Sequence, residues 1–185
     1  MKKDLLVLGF VLLIIALLIS GTKIQSVDEY YLTHIDQITP ESKTVTISIK
    51  CDTILKNWDN LDPALKSEKY VPADGVILPP TKCVLREGDT AFDILDRVVR
   101  YNKIQMEYEG ANYNSYQSVY VQGIHYLYEF SCGPLSGWMY LVNEKFPEFG
   151  GSKYVLQDGD VLEWVYTCDL GRDVGCLWLK EDKQQ

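Results

Sequence analysis

Histidine is scarce in this 185-residue chain. There are two, His34 and His125, and neither has a second metal-ligand residue at helical spacing, so a metal centre and a His-activated nucleophile find no support. No C-x-x-C pair occurs, and neither G-x-x-x-x-G-K-[ST] nor G-x-G-x-x-G is present to cradle a phosphate. Ser136 sits in Gly133-Pro134-Leu135-Ser136-Gly137, which is not the G-x-S-x-G elbow, and reads as a turn. Glu87 with Asp89, and Asp158 with Asp160, are close carboxylates, but they lie in turns without a calcium-loop pattern. Basic residues are outnumbered, 18 against 26 acidic ones for a net charge of −8. No basic stripe exists, which excludes nucleic acid as a partner. These absences leave a non-catalytic protein with no required cofactor.

What the chain does contain begins at its N-terminus. Lys2 and Lys3 precede an almost unbroken apolar run from Leu5 to Ile19. This is the pattern of an export signal or anchor whose charged end stays in the cytoplasm. The run is at the short end of the roughly 17–25 residues a spanning helix needs. A retained anchor helix over 1–22 is therefore expected, giving a single-pass N-in, C-out protein tethered to the outer face of the membrane; a cleaved signal and a secreted domain is the competing reading. Residues 23–43 lack sustained periodicity and end in Pro40-Glu41-Ser42-Lys43, as a spacer would.

The cysteines are Cys51, Cys83, Cys132, Cys168 and Cys176, an odd number. Export favours disulfides, and buried free thiols are the alternative. Pairing cannot be deduced from spacing.

The folded domain is expected over 44–173. Thr44 to Cys51 alternates polar and apolar residues, the period of a half-buried strand. A short helix is expected within 54–66, then a turn-rich stretch through Pro79-Pro80 and a second strand over 82–86. Thr90 or Asp89 can cap a helix whose Ala91, Ile94, Leu95, Val98 and Val99 share one face. Further strands are expected over 104–108, 119–130, 137–143 and 161–167. One helix among strands on both sides of it in sequence predicts an α+β fold, a β-grasp-like mixed sheet packed on that helix. The tail 174–185 carries Cys176, Leu177 and Trp178 and is expected to dock on the domain.

Aromatic residues crowd the second half, from Tyr108 to Tyr166. A sheet of this size cannot bury them all, so some are expected on a recognition surface suited to a planar or mixed-polarity ligand. Others, by strand parity, belong to the core.

From Val45 to Asp173 the chain resembles the transcobalamin-like C-terminal domain family, related to the small β-domain of vitamin B12 carriers. The resemblance is carried by Glu87-Gly88-Asp89-Thr90-Ala91-Phe92-Asp93-Ile94-Leu95, by Gly123-Ile124 with Leu127-Tyr128-Glu129-Phe130, by Cys132-Gly133 with Ser136 to Asn143, and by Asp158 to Thr167. It implies a β-rich domain that closes over one face of a corrinoid, with a separate helical or transporter partner supplying the other face. The loop Gln122 to Tyr126 and the turn Asn143 to Phe149 are the regions it brings toward a ligand. Gln122, Gly123, Ile124, Tyr126, Trp138, Tyr140, Phe146 and Phe149 are accordingly the candidate binding residues. Two departures stand out: Asn143-Glu144 replaces the Asn-Gly expected of a tight type I′ turn, and Gly151 stands where relatives carry Cys, so that Cys176 would have to bridge Cys168 instead.

The expected function is a membrane-tethered extracytoplasmic module binding a corrinoid or similar planar cofactor. A cell-surface interaction or structural module with no small ligand is the alternative.

Overall fold

Val45, Ile47 and Ile49 point into the core with no more than 1% of their surface exposed, and the strand that carries them, β1 (Thr44–Lys50), is central to the fold. The computed structural model describes residues 10–16, 36–115 and 117–176. β1 pairs antiparallel with β2 (Val76–Val84) and parallel with β7 (Val161–Thr167), which pairs antiparallel with β6 (Gly137–Val142), giving a mixed sheet of order β2-β1-β7-β6. A second sheet holds β3 (Met106–Glu109), β4 (Tyr120–Ile124) and β5 (Leu127–Tyr128) in the order β3-β4-β5. The class is α+β, but with two sheets where a single one was expected.

Between β1 and β2 lies a one-turn helix, α1 (Thr53–Lys56), shorter than the helix expected over 54–66 and followed by 3-10 turns at Trp58–Asn60 and Pro63–Leu65. The main helix, α2 (Ala91–Asn102), starts where a reciprocal cap forms: Asp93 N–H donates to Thr90 Oγ1 at 3.2 Å and Thr90 N–H to Asp93 Oδ2 at 2.9 Å. It ends at Lys103 in the left-handed region, φ 55°. Ala91, Ile94, Leu95, Val98 and Val99 pack against Val45, Ile47, Ile49, Leu162 and Trp164 in one core cluster. Farther along the strands Cys51, Ile54, Leu61, Val71, Leu127, Cys132 and Tyr166 form a second cluster.

Two expected elements are corrected. The second strand begins at Val76 and runs through Pro79-Pro80. Proline cannot donate to a ladder, yet β2 is an edge strand with an irregular register opposite Ile47 to Lys50, where that loss is tolerated. The strand expected over 119–130 is broken into β4 and β5 by His125 and Tyr126, both at positive φ (54° and 66°). The type I′ geometry at Asn143-Glu144 forms after all, with φ of 50° and 65° and reciprocal backbone bonds between Val142 and Lys145 at 2.9 and 3.0 Å. Asn143 supports it by donating through Nδ2 to Asp160 Oδ1 (2.7 Å) and accepting from Val161 N–H (3.0 Å).

The disulfide expectation is corrected as well: all five cysteines are unbridged. Cys168 lies beside Cys132, and its Sγ is 3.8 Å from Thr53 Oγ1, whereas Cys176 packs on Gly171, to whose carbonyl its N–H donates at 2.9 Å. Burial pushes the Cys51 and Cys168 thiols up to about 12 and Cys83 up to about 11.

The anchor expected over 1–22 lies mostly outside the described residues, of which 10–16 are helical; among the described residues no helix is long and apolar enough to cross a membrane. The tail beyond Cys176 also lies outside them. The end of the expected spacer is held to the domain, since Arg86 donates to both oxygens of Asp36 at 2.8 and 2.9 Å. Arg97 reaches the same carboxylate at 3.4 Å and pairs with Asp89.

Candidate functional site

β6 is the last strand of its sheet, and β4 of the other sheet approaches it. Residues 147–153 wrap across the gap, and the three segments enclose a cleft of about 390 Å³, within the range of small-molecule sites. Its walls include Tyr120, Val121, Trp138, Tyr140, Phe149 and Trp164.

The aromatic walls are ordered by contact with one another. Tyr140 stacks on Trp164 with ring centres 5.4 Å apart and planes 29° apart. Phe149 stacks on Tyr154 at 5.8 Å and 20°. Tyr154 in turn meets Tyr140 edge-on at 6.3 Å. The Tyr140 hydroxyl donates to the carbonyl of Phe149 at 2.6 Å, tying the loop to β6, and burial holds this phenol protonated well above its ordinary range. Trp138 donates from Nε1 to the carbonyl of Leu127 at 2.7 Å and meets Tyr166 edge-on at 5.2 Å.

The loop is tied to the β4 side through serines. Ser118 and Ser152 share a hydrogen bond at 2.9 Å, and Ser152 Oγ accepts from Val119 N–H at 2.9 Å. That closeness leaves no room for a side chain at Gly150, whose Cβ would stand 1.9 Å from Ser118 Oγ. At Gly151 a Cβ would lie in ordinary contact with the Trp164 ring, 3.4 Å from Cζ2. Glu148 and Lys153, both exposed, stand at the mouth and give it one charge of each sign.

Of the eight candidate residues, Trp138, Tyr140 and Phe149 are brought together on the cleft walls. The others are placed elsewhere. Ile124 is fully buried in the core. Gly123 lies under the Tyr128 ring, where a Cβ would come within 2.6 Å of Cδ1. The Gln122 carbonyl accepts from Glu129 N–H at 2.9 Å. Tyr126 packs edge-on against Tyr70 at 5.7 Å, and Phe146 is half-buried just after the type I′ turn. Sequence reasoning missed Ser118, Gly150, Gly151 and Trp164 as wall residues. The Gly150-Gly151 doublet was the available signal, because adjacent glycines outside a regular element mark close approach of another segment.

A family model described as a domain of unknown function, DUF4430, matches residues 88–168, which include α2, both strands flanking the cleft and the loop across it. No curated protein matches the sequence. Among solved structures, the chain is similar to a crystal structure of haptocorrin in complex with Cbi, at 13% identity and a TM-score of 0.44. The match covers 73% of this chain and 27% of that one, so the chain spans little more than a quarter of its length.

Proposed function

We propose that this chain is a non-catalytic binding module, tethered outside the membrane by its N-terminal segment, that takes a planar ligand of mixed polarity into the cleft between β4 and β6. The observation that carries this reading is the cleft itself. It has a volume of about 390 Å³, and its walls include Trp138, Tyr140, Phe149 and Trp164. Flat, rigid side chains of this kind give large contact area at small entropic cost. The chemistry around the cleft suits retention more than turnover. The Tyr140 phenol is held protonated and engaged with Phe149.

The corrinoid suggested by the resemblance is the first ligand to test. A macrocycle would lie across the mouth with one edge inserted, since a cleft this size encloses a fragment of it. The remaining face would be free for a separate helical or transporter partner, and half a site implies modest affinity without one. The test is isothermal titration of the full chain in detergent micelles with cyanocobalamin and with dicyanocobinamide. Saturable one-to-one binding to either, lost in Phe149→Ala, is expected. No heat from either, on protein that unfolds cooperatively, would favour the alternative of a surface interaction module, for which the unpaired outer edge of β6 offers a docking strand.

A further inference from the structure

Trp138, Met139 and Tyr140 all line the cleft. Side chains alternate between the two faces of a strand, so three consecutive residues of β6 meet one cavity along the strand's edge. Asn143 N–H donates to Val161 across the β6–β7 pair at 2.9 Å. Bonded and non-bonded pairs alternate from there, which turns the main-chain N–H and C=O of Val142, Tyr140 and Trp138 away from β7.

That outer edge is closed at both ends. Val142 exchanges bonds with Lys145, and the Ser136 carbonyl accepts from Phe130 N–H at 3.0 Å. Between them, among the described residues, the main-chain groups of Trp138 and Tyr140 pair with no other strand. A free edge from 138 to 140 inside a cleft suits an extended chain, because another main chain matches its donors and acceptors at strand spacing.

The protein brings such a segment to the place. Cys176, the last described residue, is fully buried. A Cβ on Gly171 would stand 2.7 Å from Met139 Sδ and 2.9 Å from Cys176 Cβ, so residues 177–185 set out from beside β6. They do so near its Gly137 end, where Leu170 N–H donates to the Leu135 carbonyl at 2.8 Å. Leu177, Trp178 and Leu179 are apolar, and Lys180-Glu181-Asp182-Lys183 are charged. The apolar run has the length of the free edge, and the charges begin where Lys145 closes it.

We propose that Leu177 to Leu179 add to β6 as a parallel strand along Trp138 to Tyr140. Trp178 then lies on the face of Trp138 and Tyr140, and the two leucines lie on the face of Met139. The tail is the resident occupant of this edge of the cleft. The pairing stands without any outside ligand; a ligand taken into the cleft as proposed above has to displace the tail.

Amide hydrogen exchange on the 15N-labelled full chain in detergent micelles tests the pairing, with no ligand present, so that its outcome is independent of the ligand reading. The comparison is with Trp178→Asp, which sets a charge against apolar walls. The Trp138 and Tyr140 amides are expected to exchange about tenfold more slowly in the wild type, with cross-strand NOEs from residues 177–179. Met139 and Leu141, which face β7, should exchange alike in both. Equal exchange at Trp138 and Tyr140 in the two proteins would overturn the docking. So would protection that grows with protein concentration, which gives the edge to the tail of a second copy. If the variant fails to fold, losing protection at Met139 and Leu141 as well, the wild-type NOEs decide, and their absence overturns the proposal.

Discussion

The Tyr140 hydroxyl donates to the Phe149 carbonyl across 2.6 Å, and this bond fixes the distance between the floor of the cleft and the loop that covers it. Tyr140 stands on β6 and Phe149 nine positions later in a segment without regular structure. Tyr140→Phe keeps the stacking on Trp164 and deletes the donor. A stability loss of about 1 kcal/mol is expected, with faster hydrogen exchange at Gly150 to Lys153 and unchanged exchange in α2. Uniform protection in both segments would show that the serines alone hold the loop.

Gly150 and Ser118 form the other clamp. A methyl at Gly150 meets Ser118 Oγ at 1.9 Å and its Cβ at 2.5 Å, and neither neighbour is a flexible chain end. Gly150→Ala is expected to destabilise the domain by about 1–3 kcal/mol. The double variant with Ser118→Gly empties the contested space and should recover part of that loss, beyond the sum of the single effects. Chemical denaturation of the four proteins in the cycle measures it; simple additivity would contradict the contact.

How far the sequence led can be judged from β7, β2 and the cleft. β7 was legible to the residue because Leu162, Trp164 and Tyr166 share one face between clear turns. β2 was not, because Pro79-Pro80 signals a turn unless the strand is at an edge, and edge position is decided by distant partners. The β4–β5 turn escaped notice for a similar reason, since His125 and Tyr126 at positive φ lack the Asn or Gly that marks such turns. In the cleft, aromatic density pointed to Trp138, Tyr140 and Phe149. Trp164, one of the same crowd, is buried and also lines the cavity. The need for glycine at position 150 depends on Ser118, thirty-two residues away in sequence, and no local pattern could disclose it.

The Asp36 carboxyl is held below its ordinary value of 3.8, chiefly by the hydrogen bond from Arg86, with the charges of Arg86 and Arg97 adding to it against the opposing effect of burial. A carboxyl whose pKa is lower folded than unfolded stabilises the native state fully above the unfolded value, and that stabilisation is lost as pH falls through the folded one. Wild type should therefore be more stable than Asp36→Asn at neutral pH, with the difference shrinking below about pH 4. Thermal melts of both proteins from pH 7 to pH 3 check this; a constant gap would mean that the carboxylate is not what Arg86 holds.

The unbridged cysteines make a chemical prediction. Burial pushes the thiols of Cys51, Cys83, Cys132 and Cys168 upward, so the native protein should react slowly with a thiol-specific disulfide reagent at pH 8. Unfolding without reductant should release all five as titratable thiols. Recovery of three would establish a bridge and contradict the free-thiol structure.

Trp138 and Phe149 both line the cleft, yet they should respond differently to truncation. Phe149 is 49% exposed and stacks on Tyr154, so Phe149→Ala is expected to cost less than about 1 kcal/mol of stability while weakening ligand binding at least tenfold. Trp138 donates to Leu127 and packs edge-on against the fully buried Tyr166, so Trp138→Ala removes a structural bond and opens a void, at about 3–5 kcal/mol. Combining the two would confuse lost binding with lost fold. Phe149→Ala alone is the informative variant, and Trp138→Phe, which keeps the ring against Tyr166 and deletes the Leu127 bond, is the control for β6. Titration and thermal unfolding of each variant separate the roles: binding lost at unchanged melting temperature places Phe149 on the ligand surface, whereas an equal drop in both would return it to the core.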